Sequence, residues 1–453
     1  MIIKNSEIQR FENIYEESGN QLVLLYGRQG CGKENTLKQF VEQKKCFYYR
    51  CRQAAAHEQK QMMGQEIAKQ YGVRISKYEY DEYFNRVKSG DPSKLVVIID
   101  ECQYLMKKDP EFIESILKLK KKRLYPGPVM ILLCSSSIVW AEQEMPKLLE
   151  GNRSAIDHII KMENMNFLDV VRAFPTYQVS DCITVYGILG GVPEYLSQWN
   201  PKLSLKENIC KLILAQDGYL ASKAEQVISA ELRELSVYNT ILSAIAGGCN
   251  KLNELYLKTG FSRAKISVYM KNLAHFDIIE KVISFETGGW DNAKKGVYQI
   301  KDTYVNFWYR FVYPNLSDLY WMKPEEFYDC YMRDKIEQYL NRCFRSVCME
   351  YLILLNQIGK TPIQITKMGT WVGKTGNIDI IAQNSVRENM VGLCNWTEQV
   401  LTMEMCEQLF DSMKKAKITS EHYYLFSAKY FSPEVIELAK NDHRYELIDM
   451  KEL

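Results

Sequence analysis

The chain has 453 residues, 46% hydrophobic and 25% charged, enough to bury the cores of two or three domains rather than one. Its formal net charge of +2 demands no acidic partner, so composition neither implies nor excludes nucleic-acid binding. Thirteen cysteines without a Cys-x-x-Cys pair, five dispersed histidines and an N-terminus without a signal-peptide pattern predict a cytoplasmic protein with reduced thiols, no zinc cluster and no membrane association.

Residues 8–15 carry apolar side chains at helical spacing, Ser18-Gly19-Asn20 breaks the pattern, and 22–26 is a short apolar run ending in glycine. A helix over 36–44, an aromatic strand over 46–51 and a helix over 58–71 follow, then a polar stretch as far as Leu95. Residues 95–99 and 129–133 are continuous apolar runs, the pattern of strands covered on both faces in a parallel sheet. Between them 112–123 reads as a helix, and its basic tail 118–123 as a solvated end whose cations suit the helix dipole. This alternation predicts a doubly wound α/β domain over 1–165.

Residues 166–230 turn mostly helical, punctuated by Gly190-Gly191-Val192-Pro193, and suit a helical lid following the sheet. From 231 to 313 the order is helix over 237–246, helix over 251–258, a Gly260 turn, helix over 263–276, and a strand pair over 281–299 with a Gly288-Gly289 tip. That order predicts a winged helix-turn-helix. Residues 314–453 read as a separate α/β domain, with a helix over 334–357, strands at 364–369, 377–382 and 390–394, then strand 423–426, helix 433–441 and strand 445–448.

Gly27-Arg28-Gln29-Gly30-Cys31-Gly32-Lys33 fits G-x-x-x-x-G-K and lies between a buried strand and a helix. Glycines let successive N–H groups turn toward phosphate oxygens, the helix N-terminus adds positive potential, and Lys33 can reach the outer phosphates. The expected ligand is ATP, with Glu34 and Asn35 continuing the contact stretch. Glu34 replaces the serine or threonine whose hydroxyl would coordinate Mg²⁺. A carboxylate there either ligates the metal from a longer arm or weakens nucleotide binding, and Thr36 comes two positions late. Residues 95–99 end in Asp100-Glu101, where the aspartate can hold Mg²⁺ through water and the glutamate can polarise an attacking water. Ser135, Ser136 and Ser137, at the end of the next strand, are candidates for sensing the γ-phosphate or are turn residues.

Together these segments resemble the archaeal-type ATPases of the signal-transduction class, which join an ATPase domain to a winged helix and a C-terminal nuclease-like domain. The resemblance rests on 26–33, Ile98-Ile99-Asp100-Glu101-Cys102-Gln103, Cys134-Ser135-Ser136-Ser137, Gly151-Asn152-Arg153-Ser154, Gly190-Gly191-Val192-Pro193-Glu194-Tyr195 and Gly376-Asn377-Ile378-Asp379. It implies that Arg153 faces the γ-phosphate and that Pro193 packs near the nucleotide. The last domain resembles restriction-endonuclease-like nucleases, whose Mg²⁺ sites combine a helical glutamate, a strand aspartate and a Glu-x-Lys. Glu350 and Asp379 match the first two, but Leu393 and Asn395 stand at the third, which implies a non-cleaving remnant.

In the candidate recognition helix Ser262, Arg263, Lys265, Ser267, Tyr269 and Lys271 offer polar and cationic groups to duplex DNA, and Trp290, Lys294 and Lys295 occupy the wing. Packing on a protein partner or a second copy is the competing use of such a module. The aromatics of 301–313 read as an interdomain core. The resulting expectation is an ATP-binding, slowly hydrolysing switch; the alternative is a non-enzymatic DNA- or protein-binding regulator with both sites decayed.

Overall fold

Three apolar runs each bury every side chain except at the ends, and such strands are stable only between two layers of helix. The computed structural model describes residues 4–87, 93–121, 127–149, 153–286, 296–373, 375–397 and 400–449. It divides into two units, Met1–Asn164 with Val192–Ser197, and Met165–Gly191 with Gln198–Leu453. The division runs through the segment read as a lid.

In the first unit β1 (Gln21–Tyr26), β2 (Cys46–Arg50), β3 (Leu95–Asp100), β4 (Val129–Ser135) and β5 (His158–Lys161) form a parallel sheet in the order β2-β3-β4-β1-β5. Alternate side chains along a strand face opposite sides, so the runs supply two cores. Leu24, Val97, Ile131 and Leu133 join Phe47, Phe112 and Trp140 on one side. Val23, Leu25, Ile98 and Leu132 join Phe11, Leu37 and Phe40 on the other. Truncating one such residue to alanine costs about 2–5 kcal/mol, so the frame that carries the strand ends is stiff.

Among the elements not read in the sequence are a helix and an edge strand of the first unit. The polar stretch before β3 contains the helix Tyr80–Arg86, which buries Tyr80, Tyr83 and Phe84, and the Tyr80 hydroxyl donates to Asp109 at 2.7 Å. The fifth strand, β5, is four residues long and lies at the sheet edge, where Ile159 stays 60% exposed. The strand order places β1 beside both β4 and β5, a topological switch, and ligands of open α/β sheets bind beyond the carboxyl ends at such points. The registers Tyr26↔Ser135 and Ile99↔Leu133 align the ends of β1, β4 and β3 along one edge.

In the second unit the helices Leu235–Ala246, Leu252–Thr259 and Arg263–His275 precede an antiparallel pair, β6 (Ile279–Val282) and β7 (Val297–Ile300). The Gly288-Gly289 tip with Trp290, Lys294 and Lys295 lies outside the described residues. The helix Thr303–Phe307 and the turn after it bury Tyr304, Phe307, Trp308, Tyr309 and Phe311 as core. A second sheet, in the order β12-β11-β10-β9-β8, comprises β8 (Lys367–Val372), β9 (Asn377–Gln383), β10 (Asn389–Asn395), β11 (His422–Ser427) and β12 (Tyr445–Asp449). Its β8–β9–β10 pairs are antiparallel and its β10–β11–β12 pairs parallel. The unanticipated helix Met403–Ala416 covers it through Leu409 and Met413. Phe285, just after β6, enters the same core and donates its N–H to the Thr370 carbonyl at 2.9 Å, so the β6–β7 pair is tied to the edge strand β8.

Candidate functional site

Beyond β1 the chain must turn sharply under its neighbours. The Gly27 N–H donates to the Ser135 carbonyl at 3.2 Å. A Cβ at Gly27 would stand 2.4 Å from the Met162 carbonyl oxygen, so a side chain has no room there. Gly30 and Gly32 hold φ of 84° and 94°, left-handed values that favour glycine, and Gly32 is the N-cap of the helix Lys33–Val41. The loop therefore opens onto a helix N-terminus whose first-turn N–H groups have no intrahelical acceptor, which attracts anions.

The Lys33 side chain folds into that loop, 9% exposed, donating to the Gly27 carbonyl at 2.5 Å and the Arg28 carbonyl at 2.9 Å. Phosphate oxygens would compete with these neutral carbonyls for the ammonium, and charge-assisted bonds are the stronger ones. Pro193 lies against the loop, its Cγ 3.4 Å from where a Gly32 Cβ would be, and the Glu194 N–H donates to the Gly30 carbonyl at 3.2 Å. Arg153 opens the short turn Arg153–Ala155. Its side chain, with Gly151 and Asn152, lies outside what is described.

Asp100 ends β3. The Tyr48 hydroxyl donates to its Oδ2 at 2.8 Å, Arg50 Nε stands 3.7 Å from the same oxygen, and the Glu101 N–H donates to Oδ1 at 3.0 Å. Burial raises the Asp100 pKa, and the Tyr48 bond opposes that rise. Neither Tyr48 nor Arg50 was singled out from sequence. The signal was the alternation in β2, which buries Phe47 and Tyr49 and leaves Tyr48 and Arg50 on the other face, while the register Arg50↔Asp100 emerges only in the sheet.

Glu101 adopts φ of 52°, and its Oε2 accepts from Gln103 Nε2 at 2.6 Å and from Ser136 Oγ at 2.6 Å. Of the three serines, Ser136 meets the acid, while Ser135 and Ser137 bond to each other. Glu34 is exposed in the first helical turn and pairs with Lys38 at 2.7 Å; that bond holds its carboxyl below the usual range, and Arg50 adds to the effect. Thr36, two residues on and so on the opposite side of the helix, is 1% exposed. Its hydroxyl has no hydrogen-bond partner among the described residues.

Asp100 and Glu34 offer the hard oxygen donors that suit Mg²⁺, though among the described residues no three potential ligands cluster as a protein cage. A Mg²⁺ ion, which keeps waters and takes substrate phosphates, fits such a sparse donor set.

The C-terminal carboxylates have different surroundings. Glu350, on the helix Ile336–Gln357, accepts from the Phe167 N–H at 2.7 Å and the Tyr186 hydroxyl at 2.9 Å, and burial raises its pKa. Asp379 on β9 accepts from the Cys394 N–H at 3.0 Å and faces Arg345 at 3.7 Å; burial raises its pKa too. Among the described residues the two acids share no partner. Asn395 is buried and accepts from the Thr397 hydroxyl at 2.9 Å, and Leu393 packs on the apolar core.

Residues 4–199 match the family model of an ATPase domain found predominantly in Archaea. Residues 308–409 match a family of archaeal and bacterial proteins of unknown function. The uncharacterized protein MJECL04 of Methanocaldococcus jannaschii is 25% identical over 382 residues, 84% of each chain. Among solved structures, the Walker-type ATPase of Pyrococcus abyssi is 17% identical with a TM-score of 0.45, over 68% of this chain and 96% of its own. The ORC2 protein of Aeropyrum pernix, in ADPNP–ADP complexes, is 13% identical with a TM-score of 0.46, over 71% and 95%. Among the described residues no helix is long and apolar enough to cross a membrane.

Proposed function

We propose that this chain, whose residues 4–199 match an ATPase domain found predominantly in Archaea, is an ATP-binding switch that hydrolyses its nucleotide slowly. The observation that carries the reading is the loop 27–33, in which left-handed glycines open onto a helix N-terminus and Lys33 is held in the centre by two neutral carbonyls. Gly27, Arg28, Gln29, Gly30, Cys31, Gly32, Lys33, Glu34 and Asn35 line the nucleotide, and Pro193 backs the loop. Arg153 is the candidate for the γ-phosphate.

Asp100 and Glu34 would hold Mg²⁺, which supplies charge neutralisation on the phosphates when bound. Glu101 is the base that polarises water. Ser136 and Gln103 both hold its Oε2, which orients the carboxylate and leaves Oε1 to meet a water. The proposal extends to a winged helix over 231–313 and a nuclease-like remnant over 314–453 as the parts that respond to nucleotide state.

The test is ATP titration with and without Mg²⁺, following phosphate release, for the wild type and Lys33→Ala. Loss of binding by about 100-fold is expected, as for removing several charge-assisted bonds. ATP binding unchanged in Lys33→Ala overturns the assignment.

A second reading, a DNA- or protein-binding regulator without turnover, draws on the helix Arg263–His275, which leaves Arg263, Lys265 and Lys271 exposed. Salt-sensitive binding of duplex DNA without ATP turnover would favour it.

A further inference from the structure

Independently of the nucleotide loop, the second unit carries an open cavity of about 170 Å³ among β6, β7, the helix Thr303–Phe307 and the helices Val179–Leu189 and Ile336–Gln357. It has room for several waters or one small molecule, and is smaller than the roughly 300–1,000 Å³ of drug-sized sites, so it is too small for a nucleotide. Its polar lining includes Arg342, Glu280, Lys301, Asn306 and Ser346.

Arg342 stands out among these. Burial pulls its guanidinium below the usual range, yet an arginine keeps its charge in a protein. Among the described residues one of its five donors is engaged, by the Ile300 carbonyl at 2.7 Å. It forms no ion pair among the described residues, although a desolvated charge is costly without a counter-ion. The other cation, Lys301, is balanced by Asp277 at 3.1 Å. Glu280 lines the same cavity, accepts from Gln299 at 2.6 Å, and is the carboxylate whose field reaches Arg342. A ligand must therefore bring a negative group to the guanidinium without placing a second negative charge beside Glu280.

We propose that this cavity binds a small organic monocarboxylate, its carboxylate forked by Arg342 and a hydroxyl or ammonium donor turned toward Glu280. A bidentate carboxylate uses the planar guanidinium fully, while a phosphate dianion would meet repulsion from Glu280. An α-hydroxy or α-amino acid of two to four carbons matches both the size and the donor.

The experiment is thermal melting of the full chain against glycolate, glycine and inorganic phosphate at constant ionic strength, with chloride as control. A saturable rise in Tm with glycolate or glycine, at lower concentration than phosphate requires, is expected. Arg342→Gln should weaken it about tenfold or more, the loss of a charge-assisted pair. Ser346→Trp, at an exposed lining position, fills the cavity without touching the charge and should abolish it, which keeps the test decisive if Arg342→Gln fails to fold. Glu280→Gln should shift preference toward phosphate. Absence of saturation by either acid, preference for phosphate in the wild type, or binding that persists in Ser346→Trp overturns the proposal. Phosphate binding that survives in Arg342→Gln belongs to the loop 27–33.

Discussion

Replacing Glu34 by threonine separates what this position does for folding from what it does for chemistry. The Glu34–Lys38 pair is exposed, its side chains 55% and 67% accessible, so losing it costs about 0.3–0.5 kcal/mol. Removing the acid from the first helical turn adds about 0.3–1 kcal/mol through the dipole. The total, near 1 kcal/mol, lowers Tm by about 2–4 °C in a domain of this size. On the chemical side, a carboxylate beside a phosphate oxygen repels it by a few kcal/mol at an effective dielectric of about 20. Solvent at this exposed site reduces that to about 1 kcal/mol, and the new hydroxyl adds a metal donor. Mg²⁺-dependent phosphate release should therefore rise about tenfold while Tm falls by no more than about 2–4 °C. Glu34→Gln, which removes only the charge, should give part of the gain. A folded, ATP-binding Glu34→Thr protein with unchanged turnover would refute the placement of residue 34 beside the metal.

Glu101→Gln keeps an acceptor for Ser136 and Gln103 but loses the base, so phosphate release should fall at least about 100-fold with ATP affinity unchanged within about twofold; equal release would remove Glu101 from the chemistry. Glu350 has a folded pKa raised by burial, so the native state binds the proton more tightly than the unfolded chain, and stability falls as pH rises from about 4.5 through the folded value. Glu350→Gln, which still accepts from Tyr186 and Phe167, should flatten that slope in pH-dependent melts and leave the protein at least as stable at pH 8; a steeper loss of stability there would mean the carboxylate charge is needed. With Mg²⁺ the wild-type chain should leave supercoiled plasmid uncut, and Asp379→Ala should lower stability by about 1–3 kcal/mol by leaving Arg345 and the Cys394 N–H without their acceptor. Nicking by the wild type that disappears in Asp379→Ala would restore a nuclease.

The central strands were legible because burial on both faces leaves continuous apolar runs, as in 95–99 and 129–133. The edge strand His158–Lys161 was not, since a strand with one neighbour can carry histidine and lysine and has no run to recognise. The helix Tyr80–Arg86 hides its three buried aromatics among charges, and seven residues are too few to display a period. At the site, the loop glycines and the Asp100-Glu101 pair could be read because their chemistry is local in sequence. Tyr48 and Arg50 could not, because they meet Asp100 through a strand register that pairs residues about fifty positions apart. Glu350, which resemblance matched to the first acid of a non-cleaving nuclease-like remnant, accepts from the Phe167 N–H and the Tyr186 hydroxyl, partners that lie about 180 and 160 residues away and leave no trace in the local sequence.

The two candidate acidic sites differ in what a cation would have to displace. At the N-terminal site the groups around Asp100 are the Glu101 backbone N–H, a hydroxyl at the surface and a half-exposed arginine at 3.7 Å, and the two side chains can swing aside at small cost. The Lys33 ammonium rests on neutral carbonyls, and an incoming phosphate offers it a stronger acceptor. At the C-terminal site the partly buried Asp379 likewise has an arginine at 3.7 Å and a backbone N–H as donor, but here the arginine, Arg345, is 27% exposed against 55% for Arg50. A metal there would have to evict a partly buried guanidinium and leave it uncompensated, which costs several kcal/mol, with neither a third acid nor a lysine to repay it. The same residue types thus form a receptive site beside the loop and a closed one on β9, and the difference lies in whether their partners can leave.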